Sequence, residues 1–203
     1  MVETVTTWLS SNLTEFLGAF LGLVYIILSV RQNIFTWPVG VASSILYVIV
    51  FFEARFYANT LLQFYYVGMG IYGWYYWLKG KRDNPSGQLP VSRLTTSEGT
   101  KLGALVIPLI GLIYYILSAF TDSPVPFMDA VTTSLSIVGT WMLARKILFN
   151  WIVWIVADLA AAGLYLFRGL YPTAILYLVY TILAVYGYLE WKKSVQKPEY
   201  VRH

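Results

Sequence analysis

The chain has 203 residues; 58% are hydrophobic, only 12% are charged, and 17 Tyr and 8 Trp are among them. A soluble domain carries about 25% charged residues and could not bury this much apolar surface at this size, so the composition excludes a soluble fold and a disordered chain and points to an integral membrane protein. Cys is absent, which removes disulfide and thiolate chemistry, and the net charge of +4 is too small and too scattered for a nucleic-acid surface.

The chain opens Met1-Val2-Glu3, and its first basic residue is Arg31. A secretory signal has a basic flank before its apolar core, so the first apolar segment is expected to stay in the protein. Charges then mark the ends of the spans, each of which needs about 20 apolar residues. The apolar runs are 16–30, 32–52, 56–78, 102–121, 130–144, 147–167 and 169–189, and only Asp158 interrupts one of them. Barrel strands would be about 10 residues long with alternating polarity, so an all-α membrane protein with seven transmembrane helices is expected. Pro38 and Pro172 fall near helix starts, where a missing N–H does no harm, whereas Pro108 lies inside helix four and is expected to bend it. The polar stretch 79–101 reads as a loop, 102–121 as a linker helix, and 193–203 as a tail.

Seven spans put the termini on opposite sides. Twelve of the fourteen basic residues fall on the carboxy-terminal side, and only Arg55 and Arg168 on the other. The positive-inside rule then places the C-terminus in the cytoplasm and the N-terminus outside, with 79–101 and 193–203 cytoplasmic.

The chain also repeats itself without a gap at an offset of 114 residues: Arg31-Gln-Asn-Ile-Phe-Thr-Trp37 aligns with Arg145-Lys-Ile-Leu-Phe-Asn-Trp151, Tyr66 with Tyr180, Tyr72-Gly73 with Tyr186-Gly187, and Trp77 with Trp191. The copies span 12–78 and 128–192. Equivalent helices are four apart in order, so both copies cross in the same direction: parallel three-helix repeats joined by a linker helix. Transporters built in this way hold their solute near mid-membrane at the repeat interface.

Asp158 lies midway along helix six, where a carboxylate is costly and usually faces a cavity or a polar partner. Asn150, Trp154 and Asp158 fall at i, i+4 and i+8, on one helix face. Trp37 sits at the start of helix two, Gln63 and Tyr66 lie on helix three, Thr140 late in helix five, and Tyr177 and Tyr180 on helix seven. These nine residues are the candidate solute contacts. Aromatic faces attract cations at ~0.5–2 kcal/mol each, so the set suits a flat, polar, cationic ring. Ser44 stands at the repeat position of Asp158, which makes the set asymmetric. Trp74, Trp77 and Trp191, at helix ends, read instead as interfacial belt residues.

The only His is His203, the last residue. A Ser-His pair in the bundle and a transition-metal cluster are therefore not expected. No phosphate-binding loop appears, so neither an enzyme nor a bound cofactor is expected.

The stretches N-I-F-T-W-P-V-G from Asn33, L-L-Q-F-Y-Y from Leu61, G-W-Y-Y-W from Gly73, R-K-I-L-F-N-W-I-V-W-I-V-A-D from Arg145 and G-L-Y-P-T-A-I-L-Y from Gly169 resemble the PnuC family of vitamin transporters over roughly 12–193. The resemblance implies a three-plus-one-plus-three fold related to the SWEET carriers, a homo-oligomer such as a trimer, and a location in the inner (cytoplasmic) membrane. It implies uptake of nicotinamide riboside by facilitated diffusion, with cytoplasmic phosphorylation trapping the product; thiamine and riboflavin are the alternative solutes. It also points to Asn150, Trp154, Asp158, Gln63 and Tyr66 as solute contacts. A ligand-binding receptor or scaffold that moves nothing is the alternative of another class, disfavoured by so short a cytoplasmic tail.

Overall fold

The structure is a computed structural model that describes residues 13–53, 57–83, 89–121, 123–167, 169 and 171–195. The opening Met1–Glu3, Arg55, Arg168 and the tail beyond 195 lie outside the described residues. Seven helices account for nearly all the rest: α1 (Leu13–Val30), α2 (Thr36–Glu53), α3 (Tyr57–Asp83), α4 (Thr96–Phe120), α5 (Pro126–Ala144), α6 (Asn150–Phe167) and α7 (Tyr171–Lys193). Five of them (α2, α4, α5, α6 and most of α7) are long and apolar enough to cross a membrane. The apolar part of α1, Phe16–Val30, is shorter. The 27 residues of α3 are ample in length, but Gln63 and the run of Tyr, Trp and Gly from Tyr65 to Trp77 dilute their apolarity.

The stretch read as a loop over 79–101 is shorter in the structure, because helices enter it from both sides. Helix α3 continues through Lys79 to Asp83. Helix α4 starts early because Thr95 and Glu98 form a capping box: the Glu98 amide donates to Thr95 Oγ1, and the Thr95 amide donates to Glu98 Oε2. Pro108 leaves α4 continuous. None of its residues is buried within the chain, and Ile107 is 74% exposed. Water would not tolerate such a helix, whereas hydrocarbon does.

The chain divides into two compact units, Met1–Leu89 and Pro90–His203. In the first, α2 packs against both α1 and α3. Small residues let the helices approach closely, as membrane packing requires: Gly18 lies under the Tyr47 ring, and Ser43 Oγ donates to the Gly18 carbonyl at 2.8 Å. In the second, α4, α5, α6 and α7 pack in succession. Val91 bridges to Val195, and Ser92 pairs with the α5–α6 turn: its amide donates to the Lys146 carbonyl at 3.0 Å, and its carbonyl accepts from the Leu148 amide at 2.9 Å.

The 114-residue repeat is built into the backbone. Gln32 and Lys146, equivalent by sequence, both take φ 54°. The Asn33 amide donates to the Leu28 carbonyl and the Ile147 amide to the Met142 carbonyl, each at 2.9 Å. Helices α2 and α6 begin and end at equivalent residues. Beyond each turn, one tryptophan fills the junction of two helices. Trp37 meets Trp77 edge-to-face at 5.3 Å, and Trp151 meets Trp191 at 5.4 Å. A Cβ at Gly73 would lie 2.5 Å from the Trp37 ring, and one at Gly187 would lie 2.7 Å from the Trp151 ring.

Two expectations change here. Trp77 and Trp191 are not belt residues: they are buried as the second ring of each edge-to-face pair. Trp74 is exposed, as a belt residue would be. Lys146, counted among the cytoplasmic basic residues, is only 2% exposed. Burial disfavours its ammonium form and pushes its pKa from 10.5 down to about 8. Between those values the unfolded chain binds more protons than the folded one, so stability should rise with pH over that window. Lys146→Met should abolish this rise. Melting of the detergent-solubilised protein across pH 7 to 10.5 measures the rise and its loss.

Candidate functional site

In the second unit, three helices bring most of the candidate residues together. Asn150 is the first residue of α6 and is fully buried; its Nδ2 donates to the Ile147 carbonyl at 2.7 Å. That bond closes the turn into α6, so one half of the amide is structural. Its Oδ1 is buried and has no partner among the described residues. One helical turn on, Trp154 lies against Gly139 of α5, 3.2 Å from where a Cβ would stand. Thr140, beside that glycine, returns its hydroxyl to the Ser136 carbonyl of its own helix at 2.8 Å.

A further turn along α6, Asp158 is 7% exposed. A buried carboxylate needs a polar neighbour, and Tyr180 on α7 is within its electrostatic reach. Tyr180 is in turn edge-to-face with Tyr177 at 5.9 Å, and Tyr177 stacks on Tyr165 of α6 at 5.3 Å. Tyr165, Tyr177 and Tyr180 thus form a wall of rings between α6 and α7, with the Asp158 carboxylate within electrostatic reach of Tyr180. Tyr165 lies on the same helix face, seven residues beyond Asp158, but nothing in the spacing of the candidate residues singles it out among the many tyrosines of the chain.

In the first unit the outcome is mixed. Trp37 is 1% exposed, wedged against Gly73 and Trp77, with its indole N–H buried and without a partner among the described residues. In this arrangement its faces serve packing. Gln63 and Tyr66 are half-buried on α3. Tyr66 lies 5.7 Å from Tyr65, and both are within electrostatic reach of Tyr25 on α1. Tyr25 also escapes the sequence reading. Its repeat partner is Gly139, so the alignment hides it.

The two units use one packing device with its halves exchanged. At the first pair of equivalent positions stand Tyr25 and Gly139, and at the second stand Gly40 and Trp154. In unit one the Tyr25 ring of α1 covers Gly40 of α2, 2.7 Å from where a Cβ would stand. In unit two the Trp154 ring of α6 covers Gly139 of α5. The ring-over-glycine contact is kept while the helix that supplies the ring changes.

Among the described residues no group of His, Cys, Asp and Glu is arranged to hold a metal. The family model described as "Nicotinamide mononucleotide transporter" matches residues 12–193. The chain is 25% identical to the nicotinamide riboside transporter PnuC of Escherichia coli, over 90% of this chain and 86% of that protein. It is also 25% identical to the riboflavin/roseoflavin transporter RibM of Streptomyces davaonensis, over 88% of this chain and 84% of the other. In fold it is similar to the crystal structure of the vitamin B3 transporter PnuC, with a TM-score of 0.73, 21% identity, and coverage of 95% of this chain and 86% of that one.

Proposed function

We propose a specific cargo and route for this chain, starting from the fact that it belongs to the nicotinamide mononucleotide transporter family: it is a multi-pass membrane transporter, not an enzyme, and it takes up nicotinamide riboside by facilitated diffusion. The observation that carries this reading is the buried Asp158, one helical turn from Trp154 and within electrostatic reach of Tyr180. A carboxylate and aromatic faces suit a flat cationic ring, and the nicotinamide ring of the riboside is one.

The residue inventory favours the riboside over its phosphate ester. A phosphate held inside a membrane needs Arg, Lys or a metal. The segments 32–54, 56–78, 102–144, 147–167 and 169–191 contain no Lys or Arg. Riboflavin is the second reading, supported by the RibM relative. Its neutral ring system would make less use of Asp158.

The shared turns and tryptophan pairs of the two units support a plan of seven spans, with α1–α3 and α5–α7 as parallel repeats and α4 as the linker. The distribution of Lys and Arg supports a cytoplasmic C-terminus and an external N-terminus in the inner membrane.

Purified protein in liposomes should equilibrate radiolabelled nicotinamide riboside with no imposed gradient, and a protonophore or removal of sodium should not slow it. Uptake that requires a proton or sodium gradient excludes facilitated diffusion. Binding without flux identifies a receptor instead. Riboflavin in excess should compete poorly; strong competition reverses the order of the two readings.

A further inference from the structure

We infer that Tyr165 of α6, paired with Tyr177 of α7, forms an aromatic station that receives the flat ring of the solute on its way to Asp158. The inference rests on the riboside reading above and deepens it. Every residue of the station lies in the second unit.

The rings run as a ladder across the α6–α7 junction. Tyr165 stacks on Tyr177 at 5.3 Å with 26° between the ring planes, and Tyr177 meets Tyr180 edge-to-face at 5.9 Å. Tyr165 stands seven residues beyond Asp158 on the same face of α6, about 10 Å along the helix axis. Successive spans run in opposite directions, so the step from Tyr177 to Tyr180 on α7 leads back toward the level of Asp158. The ladder begins near the end of α6 that lies away from the basic α5–α6 turn, and it descends toward the carboxylate.

The first unit pairs its rings differently. Phe51 stands at the repeat position of Tyr165, and Gln63 at that of Tyr177. Phe51 stacks on Tyr47, one turn back on its own helix, at 5.5 Å. In the second unit the position of Tyr47 is taken by Ala161, which is buried. With no ring one turn back, Tyr165 takes its partner from α7. A stack within one helix serves that helix alone, whereas a stack across two helices lines the junction that also carries Asp158. The second unit thus combines the carboxylate with the interhelical rings.

These rings also differ from belt residues. Phe167 and Tyr171, at the same end of α6 and α7, are exposed, as interfacial rings are. Tyr165, Tyr177 and Tyr180 are half-buried: they face one another and keep part of their surface. A tyrosine face attracts a cation, and two more rings continue that surface toward a negative charge. The solute such a ladder favours is a flat ring that carries positive charge, as the nicotinamide ring of the riboside does.

The test is uptake of nicotinamide riboside into liposomes by the wild type, Tyr165→Phe, Tyr165→Leu, Tyr177→Leu and the double leucine variant, with melting in detergent as the control. Tyr165→Phe keeps the ring and should match the wild type. Tyr165→Leu stays apolar but loses the ring, so KM should rise about tenfold. Its maximal rate should stay within about twofold, because the lost contact is made before the solute reaches the central site. Tyr177→Leu should show a similar rise in KM. The double variant should lose no more than the worse single variant, since both act through one ring pair.

Wild-type kinetics in Tyr165→Leu overturn the station. So does a fall in maximal rate with KM unchanged, or a loss in Tyr165→Phe as large as that in Tyr165→Leu. If Tyr165→Leu does not fold, the same split between KM and maximal rate in Tyr177→Leu decides. A wild type that carries riboflavin but not the riboside overturns the functional reading and the station together.

Discussion

Gly73→Val should lower the melting temperature by roughly 10 °C and cut the yield of folded protein. A Cβ at this position would lie 2.5 Å from the Trp37 ring, and that ring is held on its other side by Trp77. A flexible side chain could swing away, but a buried indole in a helix junction cannot. Overpacking of this kind costs about 3 kcal/mol or more, roughly 10 °C of melting temperature for a chain of this size. Gly187→Val, which meets Trp151, should behave alike. Gly68→Ala, with open space at the Cβ position, should not. Melting in detergent and yield on size exclusion measure all three. A Gly73→Val protein that melts with the wild type would show that the Trp37 junction does not bear the load assigned to it.

Trp154→Ala should weaken nicotinamide riboside binding about 100-fold, the loss expected when a central aromatic anchor is truncated. The protein should remain folded, since the change removes a ring from above a glycine and leaves the Trp151–Trp191 pair intact. Titration calorimetry supplies the affinity, and melting supplies the control. Unchanged affinity would remove Trp154 from the site, leaving Asp158 and Tyr180 to be tested alone.

Much of the fold was legible because the physics of a membrane is written in composition. Scarce charges bounded the apolar runs, and the helices of the structure fall on those runs. The 114-residue offset was visible in a few aligned side chains; the structure carries it down to equal φ values at Gln32 and Lys146. Features that depend on what lies across a helix junction were not legible. Trp77 and Trp191 sit at helix ends, where an interfacial ring would sit. Only the glycines opposite Trp37 and Trp151 turn them inward. Lys146 looked like any loop lysine, because burial depends on Ser92 and the turn closing around it.

Part of the candidate site was legible for the same reason. Asp158 announced itself as a lone charge, and Trp154 and Asn150 followed by helical spacing. Tyr25 did not, because sequence alignment compares position with position. A contact that keeps its shape while exchanging its two halves scores there as two mismatches.

The ring-over-glycine exchange also constrains how the two copies came to differ. If they descend from one duplicated segment, one arrangement had to convert into the other through two substitutions, and the order of those steps is not free. Gaining the second ring first would have placed two large side chains in space for one, at a cost of about 1–3 kcal/mol with strain between α-helices that cannot separate. Losing the first ring left a glycine facing a glycine: a void of ring size, costing about 3–5 kcal/mol in a soluble core but able to be filled by a lipid tail or a solute. The diverging copy that passed through this second intermediate would have held an open pocket before it held a selective one.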